Sequence, residues 1–270
     1  MQKSKVFVTE FIGWDETVSR LLDSAKFAEL VQGRESVVIK PNLVEPAEPP
    51  ITTPVGLVRS IIRYLKKNCP AKKIVVAEGA GSIKHETDEI FEVLGYNAMA
   101  KEEKVELIDL NSAKTVRLTR KDCSRWPEMH LPSIIMDNFL LSVPVLKAHS
   151  LADVTLTMKN MLGAAPPSHY NAGSWKKSAF HSRIQEAIYE LNLYRTPDFT
   201  VLDATEGMSE AHLWGPKCNP PPNKIAVSSD PVAIDAYGTQ VLGRDWRKIG
   251  HIKMADGILG NAETADIVQL

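Results

Sequence analysis

The chain has 270 residues, and its 32 Lys and Arg nearly cancel its 33 Asp and Glu, leaving a formal charge of −1. That balance speaks against bulk electrostatic binding to nucleic acid or to an anionic membrane. With 44% hydrophobic and 24% charged residues, the composition is ordinary globular usage, and a chain this long can bury a core without disulfides or a structural metal.

The elements alternate along the chain. Strand-like runs fall at 5–8, 36–39, 73–77, 105–110, 115–118, part of 134–145, 199–202 and 224–227. Most are apolar throughout, as expected of strands covered on both faces. Helical patterns lie between them, at 15–31, 54–67, 151–162, 182–192, 232–242 and 246–255. In the second of these, Thr53 is the expected N-cap, Pro54 the first helical residue, and Leu57, Ile61, Ile62 and Leu65 the apolar stripe. Such alternation implies βαβ units. The expectation is a single α/β domain over residues 1–270, with a largely parallel or mixed sheet flanked by helices and a small inserted hairpin around 101–132.

Cys69, Cys123 and Cys218 are widely separated and form no C-x-x-C pair, which excludes a zinc ribbon or a self-contained iron–sulfur motif. Met1–Gln2–Lys3 leads directly into a short apolar run and then charged residues, unlike a signal peptide, and no apolar run is long enough to cross a membrane. A cytoplasmic location is expected. Phosphate-loop, nucleophile-elbow and H-E-x-x-H patterns are absent. Gly79-Ala80-Gly81 lacks the third glycine of a dinucleotide loop, and reads better as a tight turn beside Glu78.

Several strands end in polar residues: Lys40 and Asn42 after the second, Glu78 after the third, Lys147 and His149 near residue 145, and Asp203 after 199–202. In parallel strands these residues would gather at one sheet edge, where ligands of open α/β sheets bind. Lys40 and Lys147 could hold an anion, and a salt bridge to Glu78 or Asp203 is the structural alternative. Ser150 with Asp153 resembles a capping box opening a helix through Lys159 and Asn160, with Gly163 at its left-handed end. That helix start would offer free N–H groups to an anion. His149 and His181 are candidates for proton transfer near neutral pH. A divalent metal held by Glu78 and Asp203 with an imidazole is an alternative. Asp230 is the expected N-cap of a helix opening at Pro231, and Asp235 sits one turn in. The loops 164–179, with Trp175, Lys176 and Lys177, and 207–223, with four prolines, read as lids or binding loops, with a mobile surface loop or an oligomer contact as the alternative.

Taken together, Val38-Ile39-Lys40-Pro41-Asn42, Glu78-Gly79, Lys147-Ala148-His149, Met158-Lys159-Asn160, His181, Asp203-Ala204 and Asp230-Pro231 resemble the domain of unknown function 362 family. The motifs span nearly the whole chain. Many relatives carry an appended ferredoxin-like cysteine module; this chain lacks one, so no intrinsic iron–sulfur cluster is expected. The chain also resembles nickel-dependent lactate racemases, with no motif carrying that kinship.

The leading functional expectation is an enzyme acting by proton transfer on a small anionic, carboxylate-type metabolite, with metal assistance as an option. Lys40, Asn42, Ser150, Lys159 and Asn160 would bind it, and His149, Lys147 and His181 would carry the chemistry. The alternatives are a non-catalytic accessory or electron-transfer partner of an iron–sulfur protein, and a metal or cofactor carrier. A homo-oligomer is a further option.

Overall fold

The computed structural model describes residues 4–70, 72–173 and 175–270. Met1, Gln2 and Lys3, read above for a signal peptide, and Ser174 of the first long loop lie outside the described residues. Among the described residues twelve strands form: β1 (Lys5–Glu10), β2 (Ser36–Pro41), β3 (Lys73–Glu78), β4 (Glu106–Asp109), β5 (Thr115–Thr119), β6 (Glu128–Pro132), β7 (Phe139–Val143), β8 (Val145–His149), β9 (Asp153–Thr155), β10 (Phe199–Met208), β11 (Lys224–Ser228) and β12 (Asp266–Gln269).

The main sheet runs β12-β1-β11-β10-β7-β2-β3-β4. Strands β10, β7, β2, β3 and β4 are mutually parallel, and β11 is antiparallel to both β10 and β1. Pro144 separates β7 from β8, and β10 pairs first with β7 and then, beyond Asp203, with β8. The ends of β2, β3, β8 and β10 therefore lie on the same side of the sheet. β5 and β6 pair antiparallel in a separate two-stranded sheet, the expected inserted hairpin.

Alternation within the strands builds two cores. Val38, Val75, Ala77 and Leu140 face one, while Val37, Ile39, Ile74, Val76 and Leu141 face the other. Both faces are covered, which explains the uninterrupted apolar runs. Among the described residues no helix is long and apolar enough to cross a membrane.

Several local expectations change, among them the helix expected at 246–255, which divides into Trp246–Lys248 and Gly250–Ala255. The helix pattern at 15–31 divides into Trp14–Ser24 and Phe27–Leu30. The break turns Phe27 into the core, where its ring meets Phe199 at 4.8 Å and Phe139 at 5.8 Å. Thr53 does not cap Val55–Asn68; its hydroxyl accepts from Asn42 N–H and donates to the Val143 carbonyl, tying β2 to β7.

The largest change lies at 151–162. No helix opens at Ser150, which is exposed, and Asp153 has φ 65°. The chain instead turns back as β9 against β8. The ring of His149 accepts the N–H groups of Leu151 and Ala152 at 3.0 and 3.1 Å, so these donors no longer need a helix cap. A short helix, Thr157–Asn160, follows. Its first N–H groups, Thr157 and Met158, go to the buried carboxylate of Asp235 at 2.7 and 3.0 Å. Asp230 does cap Pro231–Val241, accepting from Val232 and Ala233 N–H.

Asp235→Ala leaves both N–H groups without an acceptor in a dry core. A loss of about 2 kcal/mol in urea unfolding is expected. A loss near zero would show that water or a neighbour replaces the carboxylate.

Candidate functional site

The parallel strand ends border a cavity of about 370 Å³. Asn42 and Glu78 come to it from the ends of β2 and β3, His149 from β8, Thr155 from β9, and Lys159 and Asn160 from the short helix. The loop after Gly163 adds Trp175, Lys176, Lys177 and His181, and the loop after β10 adds His212 and Leu213. Both long loops thus supply cavity walls.

Under the floor lies an ion pair. Lys40 Nζ, with its side chain fully buried, donates to Glu78 Oε1 at 2.8 Å and to Asn160 Oδ1 at 3.2 Å. Glu78 also accepts Gly79 N–H at 2.8 Å and Leu43 N–H at 3.1 Å. Desolvation lowers the Lys40 pKa, and Glu78 partly offsets it. Gly163 has an ordinary negative-side backbone, not the expected left-handed one; a Cβ there would collide with Glu78 Oε1 and Lys40 Nζ. Glycine is needed at 163 for close approach.

Lys159 stands differently. It is partly exposed to the cavity and makes no hydrogen bond or ion pair among the described residues. Burial brings its pKa down to about 8. The neighbouring lysines are occupied: Lys176 pairs with Glu86 at 2.7 Å, and Lys177 donates to the carbonyls of Gly79 and Gly163 at 2.5 and 2.8 Å. Burial lowers Lys177 to about 7. The other carboxylate on the wall, Glu45, accepts from the Ser82 hydroxyl at 2.8 Å.

Three imidazoles face this field. Because backbone N–H groups can only donate, Nδ1 of His149 must be an acceptor, and a neutral ring carries its proton on Nε2. Burial first, and Lys159 second, push its pKa far down, so the ring is neutral. His212 stacks on it with centroids 4.1 Å apart, and burial lowers His212 to about 4. His181 is lowered by burial and then by Lys159. Its Nδ1 is buried without a hydrogen-bond partner, although the carbonyls of Lys177 and Ser178 lie near enough to favour the protonated ring. Asn42 Oδ1 and Thr155 Oγ1 are likewise buried and unpartnered. Among the described residues the cavity thus presents one ammonium without a partner and neutral imidazoles.

Among the residues expected from sequence, Asn42, Glu78, His149, Lys159, Asn160 and His181 line this cavity. Lys40 lies beneath it, bound to Glu78, as the salt-bridge alternative had it. Lys147 does not line it; this buried side chain donates to the Ile51 carbonyl at 2.5 Å. Ser150 is outside because the β8–β9 turn replaces the helix start. Asp203 is outside too, folded onto Thr205 N–H and hydroxyl at 3.0 and 2.8 Å, with burial raising its pKa to about 6. Glu78 and Asp203 are therefore not a metal-binding pair, and among the described residues no three His, Cys, Asp or Glu side chains are grouped to hold an ion. His212 carried no signal in the sequence beyond its place in a proline-rich loop.

No curated protein matches the chain. Among solved structures it is similar to the lactate racemase apoprotein from Thermoanaerobacterium thermosaccharolyticum, at 12% identity and a TM-score of 0.55. The match covers 85% of this chain and 55% of that one, so the chain spans about half of that enzyme's length. At this identity the likeness is one of fold. The family model for the domain of unknown function 362 matches residues 37–240, which include the parallel strands, the buried Lys40–Glu78 pair and every cavity side chain described above. The chain belongs to the domain of unknown function 362 family.

Proposed function

We propose that the chain is an enzyme that binds a small carboxylate in this cavity and moves a proton on it with no net redox change. One observation carries the reading: Lys159 is a cavity-facing ammonium with no counter-ion among the described residues, a state that costs free energy unless an anion joins it. The fold likeness to a protein named as a lactate racemase points toward the same substrate class.

The roles follow from which lining groups are already engaged and which are not. Lys159 holds the carboxylate. His181, with a lowered pKa, takes the proton from the adjacent carbon. Charge then develops on the carboxylate oxygens, where Lys159 and the Nε2–H of His149 stabilise it. His149 cannot be the base through Nδ1, which the turn occupies.

The test is exchange of the substrate α-proton in D₂O, followed by NMR, over a panel of 2-hydroxy and 2-amino acids. His181→Asn is expected to slow exchange by about 100-fold or more while calorimetric binding persists. Wild-type exchange rates in that variant would remove His181 from the mechanism. Absence of exchange in every acid that binds would end the enzyme reading.

A second reading is a docking module for an iron–sulfur protein, with Trp214, 75% exposed in the loop beside the cavity, at the contact. Co-purification of a cluster-bearing partner that is lost in Trp214→Ala would support it.

A further inference from the structure

The cavity is zoned, and the zoning bears on the substrate. Its deep wall is polar and buried: His149, Thr155, Asn160 and Lys177 are each at most 5% exposed. Its exposed rim carries the apolar side chains of Ile83, 72% exposed, Trp175, 38% exposed, and the partly exposed Leu213 and Val44, beside the partly exposed Glu45, Lys176 and His212. Buried Leu43 and Leu162 add apolar surface to the lining. Single exposed apolar side chains are ordinary; here they converge on one opening whose floor is charged. Its volume of about 370 Å³ falls within the roughly 300–1,000 Å³ of sites that enclose drug-sized ligands. A three-carbon acid would leave most of that space to water.

Charge narrows the head group. Lys159 is the one lysine on the wall without a carboxylate or carbonyl partner among the described residues. One free ammonium balances one negative charge; a phosphate dianion would need a second. Position narrows the tail. The indole of Trp175 stands edge-on to His181, with centroids 5.2 Å apart, so an apolar group resting on Trp175 lies beside the imidazole assigned to proton transfer.

We infer that the substrate is a monocarboxylate with a bulky apolar side chain, aromatic or branched, whose head reaches Lys159 and whose tail rests on Trp175, Ile83 and Leu213. This rests on the carboxylate reading above and adds the side chain to it.

Calorimetry on the full chain with lactate, 3-phenyllactate, 2-hydroxyisocaproate, phenyl phosphate and the uncharged 3-phenylpropane-1,2-diol tests both levels. 3-Phenyllactate or 2-hydroxyisocaproate is expected to bind at least tenfold tighter than lactate. Trp175→Ala and Ile83→Ala are each expected to reduce that preference at an unchanged unfolding midpoint. Equal or tighter binding of lactate overturns the bulky side chain while leaving the carboxylate reading in place. Tighter phenyl phosphate overturns the single-charge head group. Equal binding of the diol, or no binding by any acid, overturns both readings.

Discussion

Replacing Glu78 with alanine is expected to destabilise the protein by about 3–5 kcal/mol in urea unfolding. The pair it breaks is dry, with Lys40 at 0% and Glu78 at 2% exposure. Without the carboxylate, Lys40 keeps only Asn160 Oδ1 and the Pro41 carbonyl, both neutral acceptors. The N–H groups of Leu43 and Gly79 also lose their acceptor. A surface pair such as Lys217–Glu206, at 2.7 Å but largely exposed, is worth about 0–1 kcal/mol and makes the control. Lys40→Met combined with Glu78→Gln is expected to recover most of the loss, because the stranded charge is gone and an oxygen still accepts at that place. A loss below about 1 kcal/mol in the single variant would mean that water reaches Lys40 and that the pair does not hold the floor of the cavity.

Lys159→Met should have the opposite profile: binding collapses while the fold holds. Loss of the ammonium is expected to weaken carboxylate binding by about 100-fold, roughly 3 kcal/mol. Stability should stay level or rise, since the variant removes a desolvated charge with no partner. The pH dependence has a definite sign. The Lys159 pKa is lowered to about 8, so the ammonium is present below that pH and lost above it. Affinity should be flat between about pH 6 and 7.5, then fall by up to tenfold per pH unit. Bound anion raises the lysine pKa, so the fall levels off at higher pH. His212, lowered to about 4, is neutral throughout this window and does not contribute. Affinity that rises through pH 8, or a Lys159→Met variant that binds as wild type, would assign the anion to another group.

Both expectations turn on residues that the sequence singled out for only part of the reason that matters. Lys40, Glu78, Lys159, Asn160, His149 and His181 were recognisable as polar residues at strand ends or in the segments that follow. The parallel order of β2, β3, β7 and β10 then brings their ends together. Which of them face ligand and which face each other was not legible. Lys40 and Lys147 look alike as lysines on strand ends; one pairs with Glu78 and the other turns to the Ile51 carbonyl. Lys159, the third residue of a short helix, is the wall lysine without a partner among the described residues.

Local sequence by itself determined β1 to β5, β10 and β11, the Val55–Asn68 helix and the Asp230 cap, because each depends on neighbours within a few residues. Segment 151–162 shows the limit. Its spacing suits a helix, but the N–H groups of Leu151 and Ala152 go to the His149 ring, and those of Thr157 and Met158 go to Asp235, 78 and 77 residues further along. Backbone groups take whatever buried acceptor packing brings to them. Only the tertiary structure decided that β9 forms there, that His212 stacks on His149, and that Lys159 faces the cavity without a counter-charge.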